Sequence, residues 1–156
     1  MSLSTIVPSA GYSTKDTNPN PKDFLGVSKW GPFHVLPMTV MTEVATGMGE
    51  GGMKYGSHNY RVAGVRSSVY VDAAFRHIVQ YWEGEDVDAD SGLSHITKAI
   101  CSLVVLRDAM IQDMLTDDRP PKGNIAQVRN EMQATMDSLK AKYPDPVPPF
   151  TEEGKQ

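Results

Sequence analysis

Cysteine occurs once, at Cys101. A disulfide within one chain is therefore excluded, and a reducing compartment is expected. Set in an apolar pattern, this thiol reads as a small buried hydrophobe, not a nucleophile. Positive charge is in short supply. Fifteen Lys and Arg face 19 Asp and Glu, for a formal net charge of −4. The chain as a whole offers no electrostatic attraction to nucleic acid or to an anionic membrane. No apolar run approaches the roughly 20 residues that cross a bilayer. The first residues lack the basic region and apolar run of a secretory signal. Together these absences predict a cytoplasmic protein. Several catalytic signatures are missing as well: a Walker-type Gly-rich loop, CxxC or HExxH spacing, and a Ser-His-Asp order. Neither an internal repeat nor a strand-like alternation is visible.

What is present is helical. The 156 residues, with 40% hydrophobic and 22% charged side chains, suit one globular domain with a real core. Residues 1–22 are rich in Ser, Thr, Asn, Pro and Gly and read as a flexible arm. A first helix is expected from Pro37, with Met38, Met41, Ala45 and Met48 on its apolar face and Glu43 off it. Four glycines between Gly47 and Gly52 weaken its end. A second helix is expected from Ser67 or Ser68 to Trp82, facing inward with Val69, Ala73, Ala74, His77, Ile78, Tyr81 and Trp82. A third is expected from Asp90 or Ser91 to Leu115, with Leu93, Ile96, Ile100, Leu103, Val104 and Met110 inward. A fourth runs from Asn124 to Lys142. Its narrow stripe of Ile125, Val128, Met132, Met136 and Leu139 suits one neighbour, in the same bundle or in another subunit. Four prolines between Pro144 and Pro149 then end the helical part. The reading is an all-α bundle over residues 23–143, with an extended N-terminal arm and a Pro-rich tail at 144–156.

Two stretches carry chemistry. The first joins the second and third helices: five of the eight residues from Glu83 to Asp90 are carboxylates. Glu83, Glu85, Asp86, Asp88 and Asp90 cannot all ionise close together without a cation or water between them. Asp86-x-Asp88-x-Asp90 resembles the opening of a calcium loop of the EF-hand kind. Ser91 and Thr97, at the sixth and twelfth positions, break that match. Two readings stay open: a looser site for a hard divalent ion such as Mg²⁺ or Mn²⁺, and a hydrated acidic turn that caps the third helix. The second stretch is Lys54–Arg61. There Lys54, His58 and Arg61 alternate with Tyr55 and Tyr60 around Gly56. Cations with aromatic faces suit a phosphorylated planar ligand; an exposed polar loop is the alternative.

Four separated motifs carry a resemblance. They are Asn20-Pro-Lys-Asp23, Lys54-Tyr-Gly-x-x-Asn59-Tyr-Arg61, Asp72-Ala-Ala-x-Arg76-His77, and Gly84-Glu85-x-x-Asp88-x-x-Ser91-Gly92-Leu93-x-His95. With them the chain resembles the phage dATP/dGTP diphosphohydrolase N-terminal family, whose best-known members are called MazZ. The resemblance implies an all-α nucleotide pyrophosphohydrolase similar to the MazG group. Such an enzyme cleaves a purine dNTP between the α and β phosphates, with Mg²⁺ or Mn²⁺ on a helical bundle that assembles as a dimer or tetramer. It implies Glu85 and Asp88 as catalytic ion ligands, with His95 and Glu43 in the metal set; Glu83 of the acidic elbow is expected to help hold the ion. Lys54, Asn59, Arg61, Arg76 and His77 fall on its polar, substrate-binding positions. The implied setting is the host cytoplasm and modified-purine (2-aminoadenine) metabolism. The sequence departs from its relatives at Lys98, where a second His is common, and at Tyr60, where Trp is common. A non-enzymatic nucleotide-binding or structural accessory oligomer on the same bundle is the alternative.

Overall fold

A computed structural model describes residues 31–152 together with Lys22, Gly26 and Lys29. The expected arm at 1–22 therefore lies outside the described residues except for Lys22, as does the tail beyond residue 152. The chain divides into two compact units, Met1–Thr42 and Glu43–Gln156. In the first, a 3₁₀ turn spans Phe33–Val35. Gly31 before it sits at φ +78°, and the Phe33 ring folds back where a Cβ on Gly31 would stand.

The described elements are α1 (Met38–Tyr55), α2 (Tyr60–Ala63), β1 (Val65–Arg66), α3 (Ser67–Trp82), α4 (His95–Ile111), β2 (Leu115–Thr116) and α5 (Ile125–Lys142). The fold is all-α. Its only sheet among the described residues is the two-residue parallel pairing of Val65 with Leu115 and Arg66 with Thr116. No strand was expected, because two residues are too few to show a period. Helix α1 runs through all four of its glycines to Tyr55. No described helix is long and apolar enough to cross a membrane.

Helices α3 and α4 form a hairpin, the elbow at one end and the β1–β2 pair at the other. At the pair, Val65 N–H donates to the Met114 carbonyl at 3.0 Å. Gly64, at φ +73°, must be small there: a Cβ would lie 2.9 Å from the same carbonyl oxygen. Ser67 and Ser68 do not cap α3 as expected. The capping group comes from the segment after β2, where the Asp118 carboxylate accepts from Ser68 N–H at 2.8 Å and from its hydroxyl at 2.6 Å. A carboxylate at a helix N-terminus is favoured by the exposed N–H groups and the dipole. Beneath this end Tyr60, Val65 and Ala109 are buried, with Met48, Tyr70, Val105, Met114 and Leu115 packed around them.

The apolar faces expected from periodicity match the closed faces only in part: Ala74 is buried as expected, but most of the large side chains are not. Helices α3 and α4 bury small or polar residues: Ser67 and Ala74 on one, His95, Thr97, Ala99 and Ala109 on the other. Val69, Ile78, Tyr81 and Trp82 of α3 are exposed, as are Ile96, Leu103, Val104 and Met110 of α4. On α1 the buried positions are Val44 and Gly47, not the Met stripe. Periodicity locates apolar residues around a helix. It cannot say which side a small-residue ridge will bring against a neighbour. Helix α4 also starts later than expected, at His95, because the backbone before it is committed to a turn. Helix α5 has no buried residue, and its expected seam is exposed along its length. From 143 to 151 there is no helix or strand.

Candidate functional site

Helix α1 meets α4 along Glu43, Gly47 and Glu50; with Lys54, which reaches the elbow, they are spaced four, three and four residues apart and so lie on one face of the helix. At the centre of this line Gly47 lets the helices touch: a Cβ there would lie 2.7 Å from Cys101 Sγ. Cys101 is half-buried, its thiol aimed at the Val44 carbonyl and raised in pKa by burial. It is the structural thiol that its setting predicted. Polar bonds bracket the contact. The Thr97 hydroxyl donates to Glu43 Oε2 at 2.6 Å, and Lys98 Nζ donates to Glu50 Oε2 at 2.5 Å. Lys54 Nζ lies 2.7 Å from Glu50 Oε1, one helical turn away. The two ammonium groups, Lys54 first and then Lys98, hold the Glu50 carboxyl below its usual range.

The elbow is a turn closed by its own backbone. Asp88 N–H donates to Leu93 O at 2.9 Å, Gly92 N–H to Asp88 O at 2.8 Å, and His95 N–H to Asp86 O at 3.0 Å. The Ser91 hydroxyl and N–H both donate to Asp88 Oδ2, at 2.5 and 3.1 Å. These bonds keep the Asp88 carboxyl ionised below its ordinary value, the Ser91 hydroxyl contributing most. Ser94 then caps α4, its hydroxyl oxygen accepting from Ile96 N–H. The elbow is tied to α1 by Lys54, whose Nζ is 2.7 Å from Asp90 Oδ2. It is tied to α4 by Lys98, 3.8 Å from Asp88 Oδ2.

Two imidazoles lie behind the elbow. His95 is fully buried, and its Nδ1 lies 2.8 Å from Nδ1 of His77 on α3. One of these nitrogens must carry a proton and the other a lone pair. Its other nitrogen, Nε2, is buried without a hydrogen-bond partner and lies 3.6 Å from Glu85 Oε1. Donation from His77 to His95 leaves the His95 proton on Nε2, toward that carboxylate. Burial, and then the neighbouring ring, lower the pKa of His77.

In front of the α1–α4 seam lies a cleft of about 380 Å³, within the range of small-ligand sites. Glu50, Lys54, Lys98 and Ser102 line it together with His58, Asn59 and the rings of Tyr55, Tyr60 and Tyr70. The structure thus brings Lys54 and Asn59 to one cavity. The other expected substrate residues lie elsewhere. Arg61 forms a two-pronged ion pair with Asp108 of α4, at 2.6 and 3.0 Å. Arg76 lies on the outer face of α3, in a shallow groove with Asp72, Phe75, Val79 and Gln80. His77 points to His95. Of the expected acidic residues, Glu85 is half-exposed and receives a bond from Gln80, Glu83 is exposed at the end of α3, and Glu43 reaches the first turn of α4.

Glu50 and Asp108 were not singled out from sequence, and Lys98 was noted only as a departure from relatives. The 43–47–50–54 line was present as a pattern, and Glu50-x-x-x-Lys54 is a favourable pair on a helix. The methionine stripe drew the helix face elsewhere.

A family model described as dATP/dGTP diphosphohydrolase, N-terminal matches residues 19–119. The chain belongs to this family. The match covers the arm's last residues through β2 and takes in the cleft, the elbow and both imidazoles. Membership identifies the chain as a nucleotide diphosphohydrolase. No curated protein and no solved structure matches it. Enzymes of this dATP/dGTP diphosphohydrolase class typically use divalent metals. Among the described residues no three His, Cys, Asp or Glu side chains converge into a cage. The donor set instead fits an ion that arrives with substrate. Mg²⁺ commonly needs only one or two carboxylates, completing its shell with water and phosphate oxygens. Glu85 is half-exposed beside the unpartnered His95 Nε2, and Asp88 stands three residues on.

Proposed function

We propose that this diphosphohydrolase cleaves a purine dNTP, dGTP or dATP, to the nucleoside monophosphate and pyrophosphate. One observation carries the proposal: Lys54 lines the cleft and grips Asp90 of the acidic elbow at 2.7 Å. A phosphate-binding cation and the carboxylates suited to a phosphate-bound ion are thereby joined across 36 residues. In this reading the tyrosines and His58 receive the nucleoside, and Lys54 and Asn59 the phosphates. Glu85 and Asp88 hold Mg²⁺ or Mn²⁺, which would polarise the phosphate and lower the pKa of attacking water. His95, backed by His77, turns its Nε2 toward Glu85, while Glu43 and Glu83 stand outside this pair. The proposed catalytic domain spans 23–143, and modified-purine metabolism in a phage-infected cytoplasm is the proposed setting.

Arg61 and Arg76 call for a further element. Arg61 is held by Asp108, and Arg76 stands on an outer face of α3 with exposed Phe75 and Val79. The chain buries alanines between α3 and α4 and exposes its large apolar side chains. Outward apolar surface of this extent marks an interface. The proposed assembly is a dimer or tetramer of this chain.

The test of the site is the pair Glu85→Ala and Asp88→Ala. Each should remove Mn²⁺-dependent release of dGMP or dAMP while leaving helicity unchanged. Retained turnover in both would take these carboxylates out of the reaction.

A further inference from the structure

We propose that Lys98 is a resident cation of the site, its ammonium standing between Glu50 and Asp88 where those carboxylates would otherwise call for a divalent ion. The inference concerns the resting protein and stands beside the hydrolase reading without depending on it.

The geometry is that of a filled ion position. Lys98 Nζ lies 2.5 Å from Glu50 Oε2 on α1 and 3.8 Å from Asp88 Oδ2 in the elbow. Two other elements, α1 and the elbow, thus come to one nitrogen of α4. The three side chains are alike in burial, 18%, 18% and 19% exposed, so the charges are held away from bulk water and need compensation from within. Both Glu50 oxygens already face an ammonium group: Lys54 meets Oε1 at 2.7 Å and Lys98 meets Oε2. A divalent ion at Glu50 would stand beside both positive charges, which oppose it.

The ammonium is also held in register. Thr97, the residue before Lys98, is buried and bonded to Glu43, and Cys101, three residues on, abuts Gly47. These contacts set α4 against α1 on both sides of the lysine. Removing the ammonium would leave Glu50 and Asp88 facing the same partly buried space with their negative charge only partly met by Lys54. Two carboxylates around a partly buried gap suit a hard dication.

The experiment is a Mn²⁺ titration of the full chain without nucleotide, read by electron paramagnetic resonance of free Mn²⁺ and by calorimetry. Circular dichroism checks the fold of each variant. Lys98→Met and Lys98→Gln should each gain one Mn²⁺ site at least tenfold tighter than any site of the parent. Adding Glu50→Gln to Lys98→Met should abolish the gain, and Lys98→Arg should behave as the parent does. Two results overturn the proposal. One is no gain in Mn²⁺ binding by folded Lys98→Met or Lys98→Gln. The other is a Mn²⁺ site in the parent that Glu50→Gln removes. Neither readout involves turnover. Loss of the hydrolase reading would leave the resident cation standing, and failure of these titrations would leave dNTP cleavage untouched.

Discussion

Replacing Gly47 with alanine should test the α1–α4 seam that aligns Glu50 with Lys98. Taken alone, α1 gains from the change, because alanine is favoured over glycine inside a helix by about 0.8–1 kcal/mol. Packing opposes it. The new methyl would lie 2.7 Å from Cys101 Sγ and 3.4 Å from Leu93 Cδ1. The second distance is ordinary contact. The first is not, and relief requires the half-buried thiol to leave its place against Val44 O, or the helices to part. Such overpacking costs about 1–3 kcal/mol. The expected net result is a loss of about 1 kcal/mol, a fall of about 2–4 °C in melting temperature for a chain of this size. In a Cys101→Ala background the obstructing sulfur is gone. There the same Gly47→Ala change should stabilise by about 1 kcal/mol, the helical gain alone. The double-mutant cycle therefore carries a coupling of about 2 kcal/mol, well above the few tenths found for independent sites. Urea denaturation followed by far-ultraviolet circular dichroism measures it. If Gly47→Ala stabilises equally in both backgrounds, α1 and α4 do not meet at this glycine and the seam is wrong.

Other consequences are as direct. Because His77 has a pKa below the ordinary imidazole value of 6.5, the unfolded chain takes up a proton that the folded chain resists. Stability should fall as pH drops through and just below 6.5 and level off above it. His77→Gln, which keeps a donor for His95, should flatten this window between pH 5.5 and 7.5 in denaturant titrations; an unchanged slope would assign the dependence to other groups. The exposed faces of α3, α4 and α5 predict a dimer or tetramer by light scattering. Phe75→Glu on the outer face of α3 should shift it toward smaller species, and a parent that is already monomeric would remove the assembly.

Helix existence was legible in the sequence because four amphipathic segments are long enough to show their period. Trp82 was read as the end of α3, and Pro37 as the start of α1, from local chemistry alone. Inward direction was legible only in part. Ala74 was read inward and is buried. Ala99 and Gly47 also mark the closed faces, but small residues give little hydropathic signal, whereas exposed Trp82 and Leu103 give a strong one. The start of α4 was misplaced for a related reason. Asp90 and Ser91 look like caps, yet the Asp88–Leu93 turn consumes that backbone, and Ser94 does the capping. At the site, the elbow stood out by charge density, and Lys54 by its company of rings. Glu50 and Lys98 lie 48 residues apart and acquire meaning only when two helices set them together. Arg61 looked available for phosphate until Asp108, equally remote in sequence, was found paired with it.

Product identification from dGTP and dATP tests the central claim most directly. Purified protein with Mn²⁺ should convert one or both to the nucleoside monophosphate and pyrophosphate, each resolved in a phosphorus NMR spectrum. Intact dGTP and dATP, or release of inorganic triphosphate with the free deoxynucleoside, would contradict cleavage between the α and β phosphates.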